Sequence, residues 1–508
     1  MIKIKVKKKV CIVGSGFCGY AAYQKLKAQN IDLILIEGGK EKTPNSDKEQ
    51  NFYKVVTNKF LTFSGKYKVN NKLEPSFRDR KFTLGGSSEC WAGWIKPLEE
   101  STYKNYFNDN PNQSWGNLRL DNYEKEVLRL LNSPIDNFDI EQLSTKLNIN
   151  LPQLTNGLEY SIYAWAKKDL KLKNYWKNKI NPNIDFDKKN IEKDLVLGFK
   201  LIDYSKKDNK INSLIFINEL NNRKLYVEAD YFLLCMGGIE NAKFTNQLVN
   251  DLDSNNLMKK YIGNFQEHPH LYNVAHFNKG KNELPNIITR RINISEKIHN
   301  SFKDGTIKFA IAAWNGPGSP KVTFSIIENR PKNLIKRFKK LLKSIIKNKP
   351  LKGKLPNSDY FITMRCEQTW NKDSKLKFNS NITRLDWGVK DSDFKYYSDY
   401  LKMLSSFLIL NGFAKDVFLT SNSKNHYAIP NEIDGGAHHM GTVPFLKNKL
   451  IINEKFQFSI LKNLYIVGSS SFPSSGFENP THAAMSTSLI ATEDIIQKLT
   501  KKNNNASK

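Results

Sequence analysis

Three glycines and one acid near the start of the chain have the spacing of a dinucleotide-binding turn. Gly14, Gly16 and Gly19 follow an apolar run, and Glu37 lies 18 residues beyond Gly19 (37 − 19), at the end of a second apolar run. In such a turn the first glycine permits the tight bend, the second lets backbone N–H groups approach a pyrophosphate, and the third lets a helix close on the strand. The acid can accept hydrogen bonds from ribose hydroxyls, which favours an unphosphorylated ribose, as in FAD or NAD.

A second glycine-rich stretch carries small hydroxyls and flat aromatic rings. It reads LGGSSECWAGW from Leu84 to Trp94. Its backbone donors and hydroxyls suit the edge of a polar ring or a phosphate, and Trp91 offers a stacking surface. The donors are expected from Gly85, Gly86, Ser87 and Ser88. A structural loop around a core tryptophan would have the same composition, so this stretch alone leaves both interpretations open.

The third stretch that could do chemistry lies towards the end of the sequence. Residues 435–442 read GGAHHMGT, and residues 463–482 read NLYIVGSSSFPSSGFENPTH. The second block predicts an apolar strand, then a turn that includes Gly468 and Ser469. A helix follows, with Pro480 and Thr481 in its first turn. The positive end of that helix could stabilise negative charge on a reduced flavin ring.

These residues need a scaffold of strands and helices to bring them together. The first stretch predicts a strand–turn–helix–strand unit, and successive strands are predicted over 184–235. The sequence MGGIEN from Met236 predicts another glycine turn between a strand and a helix, which would return the chain to the nucleotide. From 271 to 430 strands predominate, with one helix near 391–412.

Composition indicates a globular protein and excludes some classes of function. The 508 residues are 39% hydrophobic and 12% aromatic, so we expect two domains rather than a disordered chain. The net charge is +29, but lysine is abundant throughout and no nucleic-acid-binding motif is present, so we predict no nucleic-acid partner. The five cysteines form no CxxC pair, and we identify neither a membrane-spanning run nor a signal peptide. A cytoplasmic location is expected.

His268-Pro269-His270 is the one motif with a metal-ligating spacing. It lacks further ligands at a usual distance in the sequence. We interpret it as a structural turn and predict no metal site.

A basic amphipathic helix is predicted over 334–347. Its apolar side chains fall on one face, lysines and one arginine occupy the other, and no acid lies between Arg330 and Lys354. This pattern is typical of a helix at a membrane surface, and equally of a helix packed on its own domain with a solvated lysine face. Membrane contact would make the protein peripheral at the inner membrane surface and would favour a quinone acceptor.

Together, these motifs resemble those of the glucose–methanol–choline (GMC) flavin oxidoreductase family. The shared blocks occur in the family's order: GxGxxG…E, RxRxxxLGGSSxxWxGW, MGGIEN, GNFQEHP, GGAHHMGT and NLYIVGSSSFPSSGFENPT. The resemblance covers essentially the whole chain and is closest to the sugar-oxidising branch, which includes pyranose oxidase-like and fructose dehydrogenase-like proteins. It implies FAD as the cofactor and oxidation of an alcohol carbon.

The predicted fold follows from the pattern and the resemblance together. It is α/β, with a Rossmann-type FAD-binding domain assembled from discontinuous segments and an α+β substrate-binding domain that contains an antiparallel sheet. The FAD-binding segments are predicted at 1–150, 184–265 and 431–508. A helical segment on the substrate side is predicted at 151–183, and the substrate-binding domain at 266–430 with a basic insert at 330–354.

The resemblance assigns the chemistry to two residues. His438 falls on the family's catalytic base, and Asn479 falls on the partner residue before the final helix. A neutral imidazole would take the hydroxyl proton while hydride passes to flavin N5, and the second side chain would hold the developing alkoxide. His439 and His482 are then expected to support or pack.

Departures from the family pattern bear on the cofactor and the substrate. Pyranose oxidases tether the flavin through a histidine at the position of Cys90, so FAD is predicted to bind non-covalently here. Arginines that many relatives carry after the HHM block and at Asn264 are absent, which puts substrate contacts in question. The expected substrate is a sugar, glycoside or polyol, and the acceptor is dioxygen, a quinone or a cytochrome. The alternatives are a flavin-dependent lyase and a membrane-surface protein that binds FAD without redox chemistry.

Overall fold

The computed structural model describes most of the chain. The described residues are 3–41, 53–57, 81–105, 115–118, 120–167, 170–177, 179, 194–218, 220–291, 305–328, 358–378, 383–420 and 433–506. The basic stretch 334–347 lies outside these ranges, so the helix predicted there stays a prediction.

The described residues form the following strands and helices. The strands are β1 (Lys3–Val13), β2 (Leu33–Glu37), β3 (Tyr53–Thr57), β4 (Trp94–Ile95), β5 (Leu158–Trp165), β6 (Leu195–Leu197), β7 (Lys200–Lys207), β8 (Lys210–Asn218), β9 (Arg223–Leu234), β10 (Pro269–Lys279), β11 (Thr289–Arg291), β12 (Ile307–Ala313), β13 (Val322–Glu328), β14 (Tyr360–Cys366), β15 (Lys375–Phe378), β16 (Thr383–Asp386), β17 (Ala414–Leu419), β18 (Ile433–Gly435) and β19 (Leu464–Ile466). The α-helices are α1 (Phe17–Ala28), α2 (Glu100–Lys104), α3 (Glu124–Leu130), α4 (Ile140–Lys146), α5 (Leu172–Lys177), α6 (Gly237–Leu252), α7 (Asp391–Leu410) and α8 (Pro480–Ala506).

The first sheet is the nucleotide-binding scaffold that the glycine turns predicted. Its order is β6-β2-β1-β9-β8-β7, and β19 also pairs with β9. The strands β1, β2, β6, β9 and β19 run parallel, whereas β8 is antiparallel to both of its neighbours. Residues 10–13 of β1 are buried on both faces, as expected for a parallel strand covered by helices. The strands predicted over 184–235 are confirmed as β6 to β9.

The second sheet is largely antiparallel and belongs to the other domain. Its order is β17-β10-β14-β13-β12-β5-β4, with β18 also on β10 and β11 also on β13. Helix α7 has a buried face and accounts for the helix predicted near 391–412. The α/β fold with a separate antiparallel sheet is therefore confirmed.

The prediction that residues 151–183 form a helical segment is wrong for the main element there, which is a strand. That segment contains β5, which pairs with β12 along its length and with β4 at Trp165. Its residues LEYSIYAW are rich in aromatic and β-branched side chains, which favour a strand. The short helix α5 follows it. β4 also joins this sheet, although it lies within the 1–150 segment assigned to FAD binding.

A third, small sheet joins distant parts of the sequence. It has the order β15-β16-β3, so residues 53–57 pair with a strand more than three hundred residues later. Such pairing leaves no local sequence pattern. Among the described helices, none is both long enough and apolar enough to cross a membrane.

Candidate active site

One continuous cavity of about 1020 Å³ runs from the first glycine turn to a cluster of histidines. The nucleotide-binding sheet and α8 supply one wall, and β10, β13 and β14 of the second sheet supply the other. Thirteen of the fifteen residues that the sequence predicts for the site line it. The two that do not are Gly19 and Gly85.

The first glycine turn is shaped by close backbone contacts. Gly14 has φ +104°, and a Cβ there would lie 2.6 Å from the Cys235 carbonyl oxygen. A Cβ at Gly19 would lie 1.9 Å from the Gly14 carbonyl oxygen, so Gly19 permits α1 to pack on β1. A Cβ at Gly16 would lie 3.9 Å from its nearest neighbour, the Gly85 carbonyl oxygen, which leaves space for a ligand to approach the backbone. The first turn of α1 also has no side-chain cap, so its N–H groups can meet an anion.

Glu37 holds the two glycine-rich stretches together. Its carboxylate accepts hydrogen bonds from the backbone N–H (2.9 Å) and hydroxyl (2.7 Å) of Ser15 and from the N–H of Gly39 (2.7 Å). The Ser15 hydroxyl in turn accepts from the N–H of Gly85 at 2.8 Å. Burial raises the pKa of Glu37, and these hydrogen bonds oppose the rise. Glu37 therefore shapes the turn, a role that its spacing did not predict.

The stretch from Gly85 to Trp91 forms the next part of the wall. Gly85 is left-handed at φ +87° and leads into a 3₁₀ turn, Gly86–Cys90. Gly86, Ser87 and Ser88 line the cavity, and the Ser88 hydroxyl donates to the Gly85 carbonyl at 2.8 Å. Trp91 packs edge-on against Phe17, and its buried indole N–H has no partner among the described residues. An unused donor in the cavity wall suits an acceptor on a bound ring.

The end of the first sheet supplies the opposite side of this pocket. Gly468 and Ser469 line the cavity where β19 ends, and the Ser469 hydroxyl donates to the His439 carbonyl at 2.7 Å. Helix α8 begins at Pro480, and both Pro480 and Thr481 face the cavity. The positive end of α8 is therefore directed at the same space as the glycine turn.

Two histidines meet at the far end of the cavity. Nδ1 of His438 lies 2.8 Å from Nδ1 of His268. Nε2 of His268 lies 2.8 Å from the Gly476 carbonyl oxygen and 3.2 Å from that of Ser475. Carbonyl oxygens only accept, so Nε2 of His268 carries the proton and its Nδ1 is the acceptor. His438 then donates from Nδ1, which leaves its Nε2 as an unprotonated acceptor.

Both rings are kept neutral by their surroundings. Burial lowers the pKa of His268 to about 4, against weaker opposition from its two carbonyl partners. Burial also lowers the pKa of His438 well below its ordinary value, and the neighbouring histidines and Arg365 lower it further. A neutral imidazole with one free nitrogen can take a proton from a hydroxyl group.

The backbone around His438 is fixed by Glu267. The Glu267 carboxylate accepts from the N–H of His438 at 2.8 Å, from Gly436 at 3.1 Å and from His268 at 2.8 Å. The ring of His270 lies 6.3 Å from that of His438. His268 and His270 therefore line the site instead of forming a structural turn, and Glu267 and Arg365 are further residues that the interpretation missed. The signal for Glu267 was the EHP block, which was noted only as a family motif, and no local pattern marked Arg365.

Asn479 lines the same cavity and is half-buried. The preceding residue anchors it, because the Glu478 carboxylate accepts from Glu99 N–H at 2.8 Å and from the Thr102 hydroxyl at 2.6 Å. His439 lines the cavity beside Phe265, whereas His482 is buried in α8 and does not line it. Among the described residues, no group of His, Cys, Asp or Glu side chains could hold a metal ion.

Residues 371–488 match the model of the GMC oxidoreductase family. This part of the chain is similar to the C-terminal domain of GMC oxidoreductases. It contains α7, β19, His438 and Asn479, and GMC oxidoreductases bind FAD. No curated protein matches the chain by sequence.

Solved structures of GMC-like proteins share the fold along the whole length. Pyridoxine 4-oxidase from Mesorbium loti is 14% identical, covers 96% of this chain and 99% of its own, and has a TM-score of 0.56. A formate oxidase is 12% identical over 98% of this chain and 99% of its own, with a TM-score of 0.56. A variant of the Aspergillus oryzae RIB40 formate oxidase, solved for its effect on FAD modification, is 13% identical over the same shares, with a TM-score of 0.55. At these identities the likeness establishes the GMC fold alone.

Proposed function

We propose that this chain is an FAD-dependent oxidoreductase that oxidises an alcohol carbon of a sugar, glycoside or polyol. The observation that carries the proposal is the single cavity that joins the glycine turn to the neutral His438–His268 pair. A dinucleotide bound at one end would place its ring beside the histidines at the other. The open backbone at Gly16, the uncapped α1 and the unused donor of Trp91 all suit that cofactor.

His438 is the proposed base. Its Nδ1 is engaged by His268, so its Nε2 is free to take the proton of the substrate hydroxyl. The Asn479 side chain is the proposed donor to the alkoxide oxygen as charge develops there. Bound FAD would supply the hydride acceptor at N5. The positive end of α8 would favour the negative charge that the ring gains.

The test is anaerobic flavin reduction by a panel of sugars, glycosides and polyols, followed by absorbance. His438→Ala should lower the reduction rate by roughly 10²- to 10⁴-fold, which is the usual effect of losing a general base. His276→Ala is the matched control, because His276 lies on β10 outside the cavity and contacts Ser358. Equal rates in wild type and His438→Ala would exclude His438 as the base.

The same experiment separates the alternatives. A lyase or a protein that uses FAD only structurally would show no bleaching with any alcohol. Acid precipitation of the holoenzyme should leave the yellow colour in the supernatant, because FAD is proposed to bind non-covalently. Colour that stays on the pellet would contradict that part of the proposal.

A further inference from the structure

Arg365 lies on the face of the second sheet that closes the cavity. It is on β14, where its cross-strand neighbours are His270 on β10 and Thr323 on β13. Alternate residues of a strand share a face, and Phe361, Thr363 and Arg365 all line the cavity. Because directly opposed side chains lie about 5 Å apart at Cβ, Arg365 is adjacent to the histidine cluster.

Two aromatic rings lie near the guanidinium. Its central carbon lies 3.7 Å from the centre of the Trp94 ring and 6.0 Å from that of Tyr163. Trp94 also packs against Trp165 at 4.5 Å between ring centres. Stacking on Trp94 covers one flat face of the guanidinium. The N–H groups lie along its edge, which remains able to bind a planar acceptor.

Within the part of the chain that the structure describes, no carboxylate pairs with Arg365. Glu267, the acid beside the histidine cluster, accepts hydrogen bonds from the backbone N–H groups of His268, Gly436 and His438. Burial lowers the pKa of Arg365, and the hydroxyls of Tyr163 and Tyr272 oppose that change. Arginine stays protonated in proteins, so the cavity wall contains a positive charge without a matching negative one.

An unpaired guanidinium in an aromatic wall is costly unless a ligand neutralises it. We propose that Arg365 binds an oxyanion on the alcohol substrate, a carboxylate or a phosphate, and that this enzyme prefers hydroxy acids or phosphorylated polyols over neutral polyols. This inference rests on the proposed function and names the substrate class of the same site. The net charge of +29 would also favour the approach of anionic substrates.

The geometry gives the anion a positioning role. A substrate held by Arg365 would have its remaining hydroxyl groups within reach of the ring of His438, because both residues line the same cavity and His270 neighbours each of them. An arginine fork fixes orientation as well as distance, since carboxylate and phosphate accept two parallel hydrogen bonds.

The kinetic test compares matched substrates that differ only in their charged group. Anaerobic flavin reduction is measured with a neutral polyol, the corresponding sugar acid and the corresponding sugar phosphate. Arg365→Met should raise KM for the charged substrates by roughly ten- to a hundredfold and leave KM for the neutral polyol unchanged. Arg365→Lys should give an intermediate value, because it keeps the charge and loses the fork. Arg129→Met is the matched control, since Arg129 is exposed on α3 outside the cavity.

A binding measurement tests the site without turnover. Acetate and inorganic phosphate are titrated into the holoenzyme by calorimetry, and the one that binds more tightly identifies the preferred charged group. Both the wild type and Arg129→Met should bind it, and Arg365→Met should lose roughly tenfold or more in affinity. If no alcohol reduces the flavin but binding depends on Arg365, the proposed oxidation is wrong and the anion site stands.

Two results would overturn the anion site. One is equal binding of acetate and phosphate to wild type and Arg365→Met, or no binding to either. The other is a KM that rises equally for neutral and charged substrates in Arg365→Met, because that pattern indicates a damaged cavity. If Arg365→Met does not fold, Arg365→Lys is compared with wild type in its place, with the same substrates and the same anions.

Discussion

The protonation of His438 is set by a neighbour. His268 presents an acceptor to Nδ1 of His438 only because its own Nε2 is fixed by two backbone carbonyl groups. Those carbonyl groups belong to the loop that leads to Asn479. The loop therefore positions Asn479 and, through His268, also sets the tautomer of His438.

Replacing His268 tests this relay at the scale of a residue. His268→Leu removes the acceptor and lets His438 adopt either tautomer, so flavin reduction should slow by roughly ten- to a thousandfold with KM little changed. His268→Asn should recover part of the rate, because an amide oxygen can accept from Nδ1 of His438. Rapid-reaction kinetics with both variants measures the effect. Equal losses in leucine and asparagine variants would indicate a purely structural role.

At the scale of the elements, two glycines of the turn in the βαβ unit differ, because Gly19 serves packing and Gly16 leaves space for a ligand. A Cβ at Gly19 would collide with backbone, whereas a Cβ at Gly16 would meet nothing closer than 3.9 Å. Gly16 also has φ −68°, which any residue adopts. The two glycines therefore serve different purposes although the motif treats them alike.

Two alanine variants should separate those purposes. Gly19→Ala should lower the free energy of unfolding of the apoprotein by about 1–3 kcal/mol, because α1 must move away from β1. Gly16→Ala should leave that free energy unchanged or raise it by up to about 1 kcal/mol, while FAD affinity falls at least tenfold. Urea denaturation and flavin titration measure the two quantities. Normal FAD affinity in Gly16→Ala would show that the pyrophosphate does not cross that residue.

Sequence patterns predicted elements well where the signal is local. The first sheet, α7 and the start of α8 follow from apolar runs, glycine turns and Pro480, all of which act within a few residues. β3 and β4 are short and gain their stability from partners far along the chain, so their sequences carry little evidence of a strand. His268 and Arg365 were missed for a related reason. Their roles depend on what lies across the cavity.

At the scale of the whole molecule, a buried ionic network joins segments from three parts of the chain. Lys96 and Lys321 are each 2% exposed, both pair with Glu99, and both lie over the ring of Phe477. Their charges hold the pKa of Glu99 at about 2 despite its burial. Glu367 lies at the edge of this network and has the opposite behaviour, since burial raises its pKa to about 8.

Glu367 should make stability fall as the pH rises. The folded state keeps a proton on Glu367 that the unfolded state releases above its ordinary pKa of 4.5. This contribution is complete below pH 4.5 and is lost as the pH rises to about 8, with a slope of up to about 1.4 kcal/mol per pH unit. Glu367→Gln cannot titrate, so its stability relative to wild type should improve steadily between pH 5.5 and pH 7.5, measured by urea denaturation.

Glu100→Gln provides the comparison for that experiment. Glu100 is exposed, and its pKa is lowered by Lys104, so its titration lies below this pH window. The stability of Glu100→Gln relative to wild type should therefore not change with pH between pH 5.5 and pH 7.5. A flat difference for Glu367→Gln as well would mean that Glu367 is ionised in the folded protein.

The pairing of the first helix with the last has a consequence for synthesis on the ribosome. The Ser488 hydroxyl of α8 donates to the Cys18 carbonyl of α1 at 2.7 Å, and β19 completes the sheet beside β9. A nascent chain therefore exposes the apolar flank of its first βαβ unit until β19 and α8, more than 400 residues later in the sequence, have been translated. Contacts of such long sequence separation form slowly and leave intermediates open to aggregation. FAD, if it binds at the proposed site, could then be captured only after β19 and α8 have been translated, and the supply of FAD at that moment would influence how much of the protein folds.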